Sequence, residues 1–157
     1  MKALIQRVTE ANVKVKGELI SSIGKGLCIL VGISANDTEH DMKYLVQKIL
    51  NVRLFENNDG IRWSQNVKQK DYEVLCVSQF TLYATLKKNK PDFHHSMAAA
   101  KSQQLYNDFL AEMKTAYDSE KIKDGVFGEY MEVNIQNDGP VTIEIESPNK
   151  TDISKCE

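Results

Sequence analysis

The chain has 157 residues, of which 41% are hydrophobic and 27% are charged, and its formal net charge is −2. These values are typical of a single globular domain that buries an apolar core, and they do not indicate general disorder. The small negative charge argues against a protein that grips long stretches of nucleic-acid backbone, because such proteins present a basic face. The same charge is compatible with a protein that binds only the end of an RNA.

Apolar periodicity predicts an α+β domain in which two main helices pack on a mostly antiparallel, barrel-like sheet. Segments with strand-like patterns are residues 1–8, 13–16, 18–23, 27–33, 53–55, 61–63, 73–79, 126–136 and 141–145. The segment 27–33 is almost continuously apolar, which predicts a central strand covered on both faces. Because tight turns rather than βαβ crossovers link most of these segments, antiparallel pairing is predicted to dominate.

Two segments have apolar residues at helical spacing, residues 39–51 and about 98–117. Thr38, with Asp41 three residues later, is a candidate N-cap for the first helix. The apolar stripe of the second helix is interpreted as core. Residues 84–97 are predicted to be irregular.

Two further predictions concern a turn and the end of the chain. Asn58-Asp59-Gly60 is a strong tight-turn signal, so residues 53–55 and 61–63 are predicted to form a hairpin. A domain is predicted over residues 1–148, followed by a disordered polar tail over residues 149–157.

Cysteine usage and the amino-terminal sequence predict a cytoplasmic protein with no membrane partner. Cys28 and Cys76 lie in apolar runs, Cys156 lies in the polar tail, and no two cysteines form a CxxC motif. This pattern favours a reducing compartment. The segment 1–8 is too short and too polar for a signal peptide, and no apolar run is long enough for a membrane span.

Common catalytic signatures are absent from the sequence, including GxGxxG, the P-loop, HExxH and GxSxG. His94 and His95 are adjacent, so in an extended segment their side chains point to opposite faces. Without a cysteine or carboxylate at ligand spacing they make a poor metal site. No metal and no cofactor are predicted.

Polar side chains cluster in Ser78-Gln79-Phe80-Thr81-Leu82, where a buried strand gives way to a loop. Backbone N–H groups leave the sheet at a strand end and become free to bind a ligand, for example the oxyanion of an attacked carbonyl. The alternative is that the serine and threonine only satisfy a turn.

A second unusual segment is Asn137-Asp138-Gly139-Pro140. Asp-Gly is a standard turn pair, but the following proline removes a hydrogen-bond donor from the returning strand. Glycine allows unusual backbone angles and proline allows a cis bond. A rigid loop with a trans bond is the alternative.

Together the two segments resemble the SQFTL and NxGPxT signatures of D-aminoacyl-tRNA deacylases, in the D-tyrosyl-tRNA deacylase family of bacterial and eukaryotic type. The resemblance covers residues 1 to about 148. It extends to Met1-Lys2-Ala3 with Gln6-Arg7-Val8, Gly32-Ile33-Ser34, Lys90-Pro91-Asp92-Phe93-His94, and Lys123-Asp124-Gly125 with Phe127-Gly128.

The resemblance implies a homodimer that hydrolyses D-aminoacyl-tRNA, and glycyl-tRNA mischarged on tRNA-Ala, with each active site at the subunit interface. Catalytic positions carried over from the family are Ser78, Gln79, Phe80 and Thr81. The implied chiral filter is Gly139 and Pro140, joined by a cis bond and donated across the dimer, with Asn137 beside them and Arg7 as a brace.

The positions that resemble the family's pocket for the terminal adenosine are Phe127, Gly128 and Met131. Phe127 and Met131 could serve equally as core, and Arg7 could form an ordinary surface ion pair. The partner implied by the resemblance is the 3′ end of an aminoacyl-tRNA.

A rival interpretation is a non-catalytic nucleic-acid-binding module, for example a DNA-associated partner in replication. The cluster Lys87, Lys88 and Lys90 allows it, although such a cluster is also typical of a solvated loop. A second rival is a structural dimerisation domain. Neither rival requires Gly-Pro after a tight turn.

Overall fold

A computed structural model describes residues 1–148 of the chain. The predicted disordered tail over residues 149–157, with Cys156, lies outside the described residues. None of the helices in the described range is both long and apolar enough to cross a membrane.

The described residues form eight strands, two α-helices and one short 3₁₀ helix. In chain order they are β1 (Lys2–Val15), β2 (Glu18–Ile23), β3 (Gly26–Gly32), α1 (Glu39–Asn51), β4 (Glu73–Ser78), the 3₁₀ helix (Phe80–Tyr83), β5 (Thr85–Lys87), β6 (Lys90–Asp92), α2 (Ala99–Ala116), β7 (Ile122–Asp124) and β8 (Glu132–Glu146). Both predicted α-helices are confirmed to within a residue or two. Thr38 and Asp41 form the predicted capping box of α1, in which the Thr38 N–H donates to Asp41 Oδ2 over 2.9 Å.

The main sheet confirms the α+β class but is mixed. Its order is β8-β1-β3-β4-β7, with β2 also paired to β1, and the pairs that involve β1 are antiparallel. β3 pairs with β4, and β4 with β7, in parallel. Tight turns were predicted for most connections, and two connections are βαβ crossovers instead. The segments that contain α1 and α2 are long enough to return the chain to the end of the sheet where the previous strand began, as parallel pairing requires.

The longest strands, β1 and β8, were each predicted as two pieces. The pairing of β1 shifts register near Glu10 but the strand is continuous, and β8 runs through the predicted turn at Asp138-Gly139. Between the pairs Gln6–Thr142 and Val8–Asn137, residues 138–141 of β8 face Arg7 alone. The predicted turn is thus a large β-bulge that projects from an otherwise paired strand.

Two loop predictions were also wrong. Residues 53–55 and 61–63 do not form a paired hairpin. The chain makes an isolated bridge between Phe55 and Gln65 around a compact turn instead. The segment predicted to be irregular contains the β5–β6 hairpin, which pairs Thr85 with Asp92.

The apolar core positions the ends of these strands. Its main cluster joins α1 and α2 to one face of the sheet, and a second cluster on the other face includes Cys28 and Val77. Cys28 and Cys76 are buried and unpaired, as their apolar surroundings predict. Burial raises the pKa of the Cys28 thiol to about 12, so this cysteine is a core residue rather than a nucleophile.

Candidate functional site

The carboxyl end of β4 turns directly into the 3₁₀ helix that carries Phe80 and Thr81. The Gln79 N–H still donates to Val31 O over 2.7 Å, so Gln79 remains tied to the central strand β3. The 3₁₀ helix then lies against Gly32, where a Cβ atom would come within 2.9 Å of Leu82 Cβ. The absence of a side chain at Gly32 therefore allows this helix to sit close to β3.

A cavity of about 670 Å³ opens at this end of the sheet, and we call it the strand-end pocket. It brings two predicted groups together, since Ser78, Gln79 and Phe80 line it on one side and Phe127, Gly128 and Met131 also line it. Thr81 is not among its lining residues. Further lining residues that were not predicted as site residues include Phe93, Met97, Ala99, Ser102 and Tyr130.

Aromatic rings give the strand-end pocket its apolar rim. Phe80 and Phe93 meet edge to face with ring centroids 5.0 Å apart, although the side chain of Phe80 is 57% exposed. Tyr130 is 88% exposed. The Ser96 hydroxyl donates to Phe80 O over 3.0 Å and so fixes the first residue of the 3₁₀ helix. Exposed aromatic rings around a cavity are suited to hold a planar, partly apolar ligand.

Free backbone donors lie on the 3₁₀ helix beside the strand-end pocket. Within residues 1–148, the N–H groups of Phe80 and Thr81 have no hydrogen-bond acceptor, whereas that of Gln79 is occupied by β3. Two adjacent free donors form an arrangement that can stabilise a developing oxyanion. The Thr81 hydroxyl accepts a hydrogen bond from the Gln79 side-chain amide. No basic side chain contacts that hydroxyl in the described part of the chain.

Gly139 and Pro140 lie elsewhere, on the bulge of β8. Their peptide bond is cis, and both residues are exposed. Arg7 braces the bulge. Its Nε donates to Asp138 O over 3.2 Å and lies 3.3 Å from Asp138 Oδ2, and its Nη1 donates to Leu54 O over 2.6 Å. Arg7 therefore joins the bulge to the loop that follows α1.

The bulge borders a second cavity of about 520 Å³, which we call the Gly-Pro cavity. Arg7, Gly139 and Pro140 line it, whereas Asn137 lines neither cavity and pairs with Val8 in the sheet. Three strand spacings separate β8 from β4, about 14 Å across the sheet. Within one chain, the structure therefore does not bring the two predicted motif segments together.

The adjacent histidines differ from the sequence prediction. They lie in a turn rather than in an extended segment, and their rings are in contact, tilted by 45° with centroids 3.8 Å apart. His94 Nδ1 contacts Asp92, whose carboxylate also pairs with Lys87. The hydrogen bonds with His94, and to a smaller extent the contact with Lys87, hold the pKa of Asp92 below its usual range. No group of three or more potential metal ligands occurs among the first 148 residues.

Comparison with known proteins agrees with the two motifs. The family model described as D-Tyr-tRNA(Tyr) deacylase matches residues 4–146. A Drosophila melanogaster protein named D-aminoacyl-tRNA deacylase is 58% identical over 155 residues, which cover 99% of this chain and 98% of that protein.

Two solved structures share the fold. One, titled c-Myc DNA Unwinding Element Binding Protein, has a TM-score of 0.92 and 56% identity, and the match covers 95% of this chain and all of that one. The other, titled as a probable eukaryotic D-amino acid tRNA deacylase, has a TM-score of 0.79 at 15% identity. That match covers 92% of this chain and 98% of the other chain.

Proposed function

Because this chain belongs to the D-Tyr-tRNA(Tyr) deacylase family, it is a hydrolase of the D-aminoacyl-tRNA ester, and we propose that two subunits build each active site. One subunit contributes the strand-end pocket, and its partner contributes Gly139 and Pro140. The observation that carries this proposal is the separation of the two motif segments within one chain. Phe80 and Thr81 of the first segment are exposed, as are Gly139 and Pro140 of the second, and each segment lines a different cavity.

The free edge of β8 supports a homodimer. β8 pairs only with β1 within residues 1–148, and none of its side chains is fully buried. A long unpaired strand edge is a surface that another chain can cover. In a two-fold dimer the same patch is used by both subunits, so both bulges are donated at once.

The proposed chiral filter is rigid backbone. The carbonyl groups of Gly139 and Pro140 bind the amino group of the D-aminoacyl ester and leave no room for the side chain of an L-amino acid. Arg7 holds the bulge in place through Asp138 and Leu54 O. Glycine has no side chain to exclude, so glycyl-tRNA mischarged on tRNA-Ala is the proposed second substrate.

The proposed chemistry relies on positioning. The N–H groups of Phe80 and Thr81 stabilise the oxyanion that forms when water adds to the ester carbonyl. The bond between the acyl carbon and the ribose oxygen then breaks, and this oxygen takes a proton from the added water. The free amino acid and the tRNA are released. The 2′-hydroxyl of the terminal ribose assists this step. Thr81 is not the nucleophile, because an unactivated hydroxyl is weak and its partner here is the Gln79 amide.

The remaining lining residues receive the end of the tRNA. Phe127, Gly128 and Met131 also line the strand-end pocket and hold the terminal adenosine, whose base can stack on an aromatic ring. A protein of net charge −2 is suited to bind a single-stranded end rather than a long duplex. We place this enzyme in the cytoplasm, where Cys28 and Cys76 stay reduced.

Hydrolysis of D-tyrosyl-tRNA and L-tyrosyl-tRNA by the purified protein, with a chelator present, tests the proposal. Rapid loss of the D ester with the L ester spared is the expected result, and sedimentation of the same sample should show a dimer. Loss of both esters would remove the proposed filter at Gly139 and Pro140. Loss of neither ester in folded dimers would refute hydrolysis itself.

A nucleic-acid-binding module is a second candidate, supported by the name of the 56% identical solved structure and by the exposed hairpin with Lys87, Lys88 and Lys90. It requires tight, salt-sensitive binding to duplex DNA. A gel shift over a range of salt concentrations distinguishes the two candidates. Binding to duplex without ester hydrolysis would favour the module.

A further inference from the structure

The Gly-Pro cavity has a wall that the proposed reaction leaves unexplained. Trp63 lines it and is the only tryptophan in the chain. Its side chain is 56% exposed, and its backbone adopts a φ of +58°. A bulky residue in the left-handed region is uncommon and costs free energy, and such residues concentrate at functional sites.

The loop around Trp63 is well ordered by its own hydrogen bonds. The Asn57 side chain accepts from the N–H groups of Asp59 and Ile61 over 3.0 and 2.9 Å, and the Asn57 N–H donates to Ile61 O over 3.0 Å. The Ser64 N–H donates to Phe55 O over 2.9 Å. The exposed indole is therefore presented from a fixed position rather than from a free loop.

Cationic side chains line the same cavity as this ring. Arg7, Lys25, Arg62 and Lys70 line the same cavity, against the two carboxylates of Glu56 and Asp138. Lys25 and Arg62 form no salt bridge with any residue of the described range, whereas Arg7 pairs with Asp138. This local excess of positive charge occurs in a chain whose net charge is −2. An aromatic platform among unpaired cations is typical of sites for single-stranded nucleic acid.

We propose that the Gly-Pro cavity binds the single-stranded nucleotides that precede the terminal adenosine of the tRNA. One base stacks on Trp63, and Arg62 and Lys25 face the phosphates. This inference rests on the proposed function. If Gly139 and Pro140 enter the partner's pocket, the cavity beside them lies at the entrance of that pocket, where the RNA strand must leave.

The lone tryptophan provides a direct probe. Wild-type protein should be titrated with an RNA hairpin that carries no amino acid and ends in a single-stranded CCA. Its indole fluorescence should change until the binding site is saturated. The same hairpin with a blunt end should produce a much smaller change. Equal responses to both RNAs, or no response in protein that hydrolyses D-tyrosyl-tRNA, would overturn the inference.

Kinetics test the role of the ring. The substitution Trp63→Ala should raise KM for D-tyrosyl-tRNA by roughly tenfold, as expected for loss of one stacked base, with little change in kcat or in the preference for D esters. Trp63→Phe should recover most of the affinity. Ile61→Ala is the matched control, because Ile61 is 59% exposed in the same loop but does not line the cavity.

Two outcomes would assign the surface differently. An unchanged KM for Trp63→Ala would refute RNA binding at this ring. Dissociation of Trp63→Ala into monomers, at concentrations where wild type is dimeric, would show that the ring contacts the partner subunit. Failure of wild type to cleave the D ester would refute the proposed function instead, and the fluorescence titration would still report on RNA binding.

Discussion

The two cavities are built in opposite ways. The strand-end pocket lies at the end of the buried strands β3 and β4, and the core fixes its floor through the contact of Gly32 with the 3₁₀ helix. The Gly-Pro cavity lies on an edge strand, and one arginine ties its bulge to the loop that follows α1. The first is an apolar pocket with free backbone donors, and the second is rich in cations.

This difference fits the division of work that we propose between the two regions. Binding and activation of the ester require a site that does not move, and the end of a buried sheet provides one. Selection by exclusion requires a rigid projection that can enter another molecule, and a bulge on an exposed edge provides that. The two regions should therefore respond differently to mutation.

The largest effect is expected from Gly139→Ala. A Cβ atom here would lie 2.9 Å from Val141 Cγ2 and 3.1 Å from Arg7 Nη2, at a φ of +121°. The bulge must shift, and kcat/KM for D-tyrosyl-tRNA should fall about a hundredfold, as for misplacement of a positioning group. Gly17→Ala is the control, because Gly17 has a φ of +80° with nothing within 4 Å. Similar losses of activity in both variants would mean that the bulge has no special role.

A smaller loss is expected from Arg7→Ala. The variant loses the contacts to Asp138 and Leu54 O while the sheet around it stays paired. Hydrolysis of the D ester should fall roughly tenfold, the effect of losing a charged hydrogen bond. Cleavage of the L ester should rise relative to the D ester because the filter loosens. Unchanged selectivity, measured with both esters, would contradict the bracing role.

The smallest effect is expected from Thr81→Ala. The hydroxyl only accepts from the Gln79 amide, and the N–H of residue 81 is kept. The rate constant for ester hydrolysis, measured under single-turnover conditions, should fall less than about tenfold, as for loss of one neutral hydrogen bond. Abolished chemistry with intact substrate binding would instead make Thr81 the nucleophile.

Local signals predicted much of this molecule. Helical spacing and the Thr38–Asp41 capping box located α1 because both depend on residues within one turn. The parallel pairing of β3, β4 and β7 was missed because it depends on contacts between residues far apart in sequence. The two motifs predicted Ser78 and Gly139 as site residues, and the structure places them on two different cavities. No local pattern drew attention to Trp63, because none encodes its left-handed backbone.

The claim that one active site uses two subunits can be tested by mixing two inactive variants. Gly139→Ala disables the bulge. Ala99→Trp fills the strand-end pocket from an exposed position on α2. Ala100→Trp is its control, since the neighbouring residue is exposed and does not line that pocket.

After the two inactive variants are unfolded together and refolded, half of the dimers are mixed, and each mixed dimer contains one intact pocket facing one intact bulge. D-tyrosyl-tRNA hydrolysis should recover to about a quarter of the wild-type rate, as two-fold symmetry requires. No recovery, with mixed dimers demonstrated in the same sample, would contradict a shared site and place the whole active site within one chain.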